Sequence, residues 1–152
     1  MIPRGRDTVT DAALNINIAP AGDVVVLDMW GREQPDVMGT RVMKVEPRRW
    51  WLIGAGASLD AIEKTLGDNG ALTPIGGGLM RATLTGAGWR SQLMISGAFD
   101  AEDANFKPGD SAATIIHHTS IWIDVISDHE AQVYFAASNL MDIEHVWGLS
   151  SA

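Results

Sequence analysis

The chain has 152 residues, 11 Lys plus Arg, 19 Asp plus Glu, no Cys, six Trp and a formal net charge of −8. That length sets one domain as the expected count. The missing Cys excludes a disulfide framework, a thiolate metal site and a Cys nucleophile, and the negative balance opposes a phosphate-backbone partner, so no nucleic acid is expected. No stretch reaches the ~18–20 apolar residues of a membrane span, and no apolar run near the start makes a secretory signal, so the cytoplasm is the expected compartment and no membrane partner is expected. The charge is uneven. Residues 1–90 carry 10 basic and 10 acidic groups, whereas residues 91–152 carry Lys107 alone against nine carboxylates. The acidic half reads either as a solvated face or as a docking face for a basic neighbour.

Residues 1–20 show little periodicity and read as a flexible N-terminal arm, followed by a single domain over 21–152. The run 23–30, rich in Val, predicts a strand, and Gly31 to Gly39 carries turn chemistry. A weaker strand follows over 40–46. Pro47-Arg48-Arg49 turns the chain into Trp50-Trp51-Leu52-Ile53-Gly54, short enough to favour a buried strand over a helix. Ser58 is placed to cap a helix through Leu59, Ile62, Glu63 and Leu66 that Gly67 stops. A strand around 71–75 leads to the Gly76-Gly77-Gly78 break. The alternation over 79–85 predicts a strand with Met80, Ala82 and Leu84 on one face. Gly86 then opens a short helix in which Trp89, Leu93 and Met94 share a side. Phe106 to Asp110 reads as a turn, and 112–126 as two strands broken near His118-Thr119. Another turn at 127–130 precedes a strand over 132–136. Ser138 or Asn139 caps a last helix whose apolar side is Leu140, Ile143, Val146 and Trp147. The order predicts an α+β fold, mostly antiparallel sheets with a few short helices. It leaves open two ferredoxin-like halves, a structural duplication without a visible sequence repeat.

No catalytic constellation emerges from residue chemistry. Adjacent strand residues point to opposite faces, so His117-His118 is not expected to hold one ion. His129 and His145 have no Cys or spaced His companions. Gly76-Gly77-Gly78 lacks the Lys-Ser or Lys-Thr of a phosphate loop, and Gly54-Ala55-Gly56-Ala57 stops at G-x-G; a turn explains both. No catalytic, cofactor-binding or metal residue is therefore assigned. Arg41, Lys44, Arg48 and Arg49 form the one basic cluster, beside Trp50-Trp51. Strand alternation puts one of these Trp inward and the other outward, and exposed Trp beside Arg is the composition of a protein interface. Arg48, Arg49, Trp50 and Trp51 are the expected interface residues.

Three further stretches extend the pattern. Arg48-Arg49-Trp50-Trp51-Leu52-Ile53-Gly54, then Arg81-Ala82-Thr83-Leu84-Thr85-Gly86, then Phe106-Lys107-Pro108-Gly109-Asp110-Ser111-Ala112-Ala113-Thr114, and finally Val133-Tyr134-Phe135-Ala136-Ala137-Ser138 with Val146-Trp147, in that order and spacing, resemble the gamma subunit of heterotetrameric sarcosine oxidase. That family is in turn similar to the folate-binding domain of the glycine-cleavage T-protein. The resemblance implies a non-catalytic structural subunit working with alpha, beta and delta subunits. Those partners would carry FAD, FMN, NAD, zinc and tetrahydrofolate, with no cofactor in this chain. The implied reaction is oxidative demethylation of sarcosine or a related N-methyl amino acid, the one-carbon unit passing to tetrahydrofolate. The alternative from the same resemblance is a free-standing folate-dependent aminomethyltransferase-like domain. A small-ligand binding module is a third reading. The chain departs from the T-protein pattern in two places. Thr73-Pro74-Ile75-Gly76-Gly77-Gly78-Leu79-Met80-Arg81 replaces an Asp-x-Ser-His-Gly-Arg-like stretch. Ile123-Asp124-Val125-Ile126-Ser127-Asp128-His129-Glu130 replaces a Gly-Tyr-Thr-Gly-Glu-like one, so the resemblance transfers no folate-anchoring residue.

Overall fold

The computed structural model describes residues 14–31, 41–96 and 106–149. Two compact units emerge, one built from Pro20–Leu79 and the other from residues up to Ala19 together with those from Met80 onward. Among the described residues the fold is α+β, as the patterning predicts: two sheets, antiparallel in every pairing described below, and three short α-helices. Residues 21–152, read from sequence as one domain, thus contribute to two units, each with its own sheet.

The first unit holds β2 (Val24–Met29), β3 (Arg41–Glu46), β4 (Arg49–Ile53), α1 (Leu59–Leu66) and β5 (Gly70–Pro74). Its sheet order is β3-β4-β2-β5, all antiparallel. Val25, Leu27, Trp50 and Leu52 project to one side and pack against Ile62 and Leu66 of α1. Helix α1 is amphipathic by its i, i+3, i+4 spacing and ends where Gly67 takes a positive φ of 54°. Ser58 stands at its N-cap position, but its side chain makes no capping hydrogen bond; a 3-10 turn over Gly56–Ser58 leads into the helix instead. The first glycine of the Gly76 triplet is needed for packing, because a Cβ there would run into the Gly22 carbonyl.

The second unit holds β1 (Asn15–Pro20), β6 (Leu79–Thr85), α2 (Trp89–Ser96), β7 (Ser111–Ile116), β8 (Thr119–Ser127), β9 (Glu130–Ala136) and α3 (Leu140–Val146). The order is β1-β6-β9-β8-β7, so β1 and β7 are the edges. Strand β1 corrects the reading of residues 1–20 as a flexible arm where the structure describes them. Ile16 and Ile18 alternate with exposed Asn15 and Asn17, and both pack on the core. That period-two pattern is only four residues long, too brief to stand out among the polar residues around it. The rest of the arm lies outside the described residues.

The core of this unit gathers Ala82 and Leu84 from β6, Ile121, Ile123 and Val125 from β8, and Val133 and Phe135 from β9, under Trp89, Leu93, Ile143 and Trp147 of the helices. Ile143 and Trp147 of the α3 segment lie on the predicted apolar side, but Asn139 makes no side-chain cap. Met94 is 38% exposed and leaves the α2 face shared by Trp89 and Leu93. Five residues on from Trp89, at 3.6 residues per turn, it has rotated well off that stripe. Helix α2 is tied to its surroundings through Trp89 and Arg90, the latter donating from Nη1 to the Phe106 carbonyl at 2.8 Å. The Trp89 indole N–H donates to the Asp128 carbonyl at 3.0 Å, and its ring lies 4.4 Å from the Arg90 guanidinium.

Candidate functional site

The basic cluster and its tryptophans lie on the β3–β4 hairpin, and the structure rearranges what the sequence expected of them. Trp50 is 1% exposed and Trp51 5% exposed, so both are buried and the expectation that one of them faces outward is not met. The alternation itself holds: Trp50 joins the α1 face, and Trp51 lies in one cross-strand row with Val26 and Met43. The error lay in assuming that one face of this sheet meets water. Val24, Val26 and Met43, beside Trp51, are as buried as Val25, Leu27 and Leu52. Trp50 makes no hydrogen bond with its indole N–H, and the Lys44 ammonium stands 5.9 Å from its ring.

The exposed tryptophan is Trp30, just past β2 and 60% exposed. Sequence reading placed it at a strand end without a function. Its ring is nevertheless held. The indole N–H donates to the Asp68 carbonyl at 2.7 Å, and the backbone N–H donates to the Asn69 carbonyl at 3.0 Å. The Arg48 guanidinium reaches the Trp30 carbonyl at 3.4 Å from the Pro47-Arg48 turn. Below it, Arg49 donates from Nε to Asp28 at 2.7 Å and from Nη1 to Glu46 at 3.0 Å. Asp28 and Arg49 face each other across β2 and β4, and Glu46 opposes Arg49 after a register shift in β3. The Asp28 carboxylate, by hydrogen bond and charge, raises the Arg49 pKa above its ordinary value. Arg49 thus stays cationic at any physiological pH.

Asp28, Met29, Trp30, Glu46, Pro47, Arg48 and Arg49 together line an open cleft of about 560 Å³. The two expected interface arginines are therefore brought together, and the exposed tryptophan beside them is Trp30. The signal for this was present but weak: Trp30 precedes Gly31 at a strand end, where a large ring is less readily covered than in mid-strand. Chemically the cleft offers a fixed aromatic face and a guanidinium rim. It holds no pairing of nucleophile and base, and among the described residues no three His, Asp or Glu gather as a metal site.

Parts of two other sequence candidates have structural roles. The Gly56 N–H donates to the Asp23 carboxylate at 2.6 Å, so this glycine turn already has its anion within the chain. In the acidic half, Asp110 accepts from the Lys107 N–H at 2.8 Å within its turn, and Asp124 is fully buried. The stretch 123–130 runs through the end of β8, the Asp128-His129 turn and the start of β9.

Neither a protein-family model nor a curated protein sequence matches the chain. Its fold is similar to that of a chain in heterotetrameric sarcosine oxidase from Corynebacterium sp. U-96 in complex with pyrrole 2-carboxylate. The TM-score is 0.75 at 16% identity, covering 91% of this chain and 86% of that one. A weaker likeness, with a TM-score of 0.50 at 12% identity, links 88% of this chain to 95% of the regulatory subunit of aspartate kinase from Thermus thermophilus in its ligand-free form. At these identities the likeness is one of fold. The class that the fold defines is the two-sheet α+β class of a sarcosine oxidase subunit.

Proposed function

We propose that the chain is a non-catalytic subunit of a heteromeric sarcosine-oxidase-type complex, in the position of a gamma subunit. The observation that carries this reading is the extent of the fold likeness. It spans 91% of this chain and 86% of that one, which supports reading the chain as a whole subunit of such an assembly. The ordered sequence motifs support the same position. In this reading the flavins, NAD, zinc and tetrahydrofolate belong to alpha, beta and delta partners, which demethylate sarcosine or a related N-methyl amino acid. This chain contributes surface. The Trp30–Arg48 cleft is the contact surface this reading favours, since Trp and Arg dominate interface energetics when a partner excludes water around them.

Purification from the native cell through a tag on this chain tests the reading. Larger subunits carrying flavin absorbance are expected to co-elute, and Trp30→Ala should weaken their retention. A chain that remains a lone monomer at native concentration overturns it. Titrating the isolated chain with a reduced folate while following Trp fluorescence addresses the free-standing aminomethyltransferase reading. Saturable micromolar binding would favour that alternative.

A further inference from the structure

Strand geometry argued against His117 and His118 sharing an ion, and the structure removes that ground. The two residues are not in a strand. They form the turn between β7 and β8, directly above the Ile116–Thr119 pair. Both have positive φ, 49° and 74°. This is the mirror-image turn that follows the twist of paired strands, and Asn-Gly is its favoured sequence. Histidine enters that region of backbone space less readily than glycine does. Here two of them do so in succession, at an exposed tip, in a hairpin whose register runs unbroken from Ser111–Asp124 to Ile116–Thr119. The consequence is that the two side chains lie together and not on opposite faces. Their ring centroids are 5.7 Å apart, with the planes crossed at 73°.

We infer that His117 and His118 form a two-imidazole site for a borderline divalent cation such as Zn²⁺. Metal–nitrogen bonds of about 2.0–2.1 Å place two imidazoles on one tetrahedral ion with their centroids about 5 Å apart. The observed centroid separation of 5.7 Å is within about 1 Å of that. Imidazole suits Zn²⁺, Cu²⁺ or Ni²⁺ and not the hard cations Mg²⁺ and Ca²⁺, which take oxygen ligands. The hairpin fixes both backbones, so only side-chain rotation is lost when the second ring binds. No third His, Asp or Glu joins the pair among the described residues. The site is therefore an open chelate of two ligands, with its other positions left to water or to ligands from a neighbour, and not a closed structural centre. The remaining histidines serve as internal comparisons. His129 and His145 are exposed single imidazoles, one in the β8–β9 turn and one in α3.

Titration calorimetry of the full chain with zinc chloride tests the inference. One equivalent is expected to bind saturably. His117→Asn or His118→Asn alone should weaken binding about tenfold, which is about 1.4 kcal/mol. The double variant His117→Asn with His118→Gly should abolish it. That pair removes both ligands while installing the favoured turn sequence, so its thermal midpoint should be no lower than that of the original chain, and a loss of binding cannot be a loss of fold. His129→Asn and His145→Asn should leave the affinity unchanged. Zinc binding that survives the double variant, or no binding by the original chain, overturns the site.

Discussion

Each unit of the molecule buries a tryptophan as the largest piece of its core, and the two are buried in different ways. In the five-stranded unit Trp89 sits at the start of α2. Its N–H is bonded to the Asp128 carbonyl, its ring carries the Arg90 guanidinium, and Phe106 meets it edge-on with centroids 6.1 Å apart. In the four-stranded unit Trp50 lies mid-strand, equally hidden, with a ring packed among Val25, Leu27 and Leu52 and an N–H bonded to nothing. An indole at a helix start is close to loops and can reach a turn carbonyl. One in the middle of a sheet is surrounded by backbone groups already paired to each other. Trp89 is therefore both a packing element and a tie between α2 and the β8–β9 turn, whereas Trp50 fills volume and leaves a polar atom unsatisfied.

Five substitutions would break or sharpen that comparison. The largest effect is expected from Trp89→Ala, about 3–5 kcal/mol in urea unfolding, because a wholly buried aromatic is removed together with its hydrogen bond. Next comes Gly76→Ala at about 1–3 kcal/mol, since the added methyl requires the Gly22 backbone to move. The pair Trp89→Phe and Trp50→Phe isolates the hydrogen bond. The former leaves the Asp128 carbonyl without its donor and should cost about 1–3 kcal/mol more than the latter, which loses volume but no bond. Equal losses in the two variants would show that the contrast has no energetic content. Smallest in stability is Trp30→Ala, about 0.5–1 kcal/mol for one exposed hydrogen bond. Its effect belongs to partner retention, where an anchor of this type reaches about 2 kcal/mol or more.

Much of the element order was legible from local pattern. The strands at 24–29, 49–53 and 79–85 and the apolar side of α3 follow from side-chain periodicity, which depends only on neighbours in sequence. The stop at Gly67 follows from backbone freedom at one residue. Where reading failed, the missing information was about distant chain. Nothing local to Trp50-Trp51 says that both faces of their sheet are covered. Nothing local to Ser58 says that a 3-10 turn relieves it of capping. Nothing local to residues 15–18 says that their brief alternation completes an edge of a sheet whose next strand begins at Leu79.

Composition by itself determined that this chain carries more large apolar side chains than it has reason to expose, because six Trp must lie against something. The order of the residues determined the class of the fold as well, since sheets and short helices are written in repeating patterns. Only the tertiary structure decided which Trp stays outside. Burial depends on what a sheet face meets, so Trp50 and Trp51 went inward and Trp30 was left at the rim beside Arg48. It also decided that two histidines adjacent in sequence should stand side by side, because whether a dipeptide continues a strand or turns it depends on the partner strand that follows.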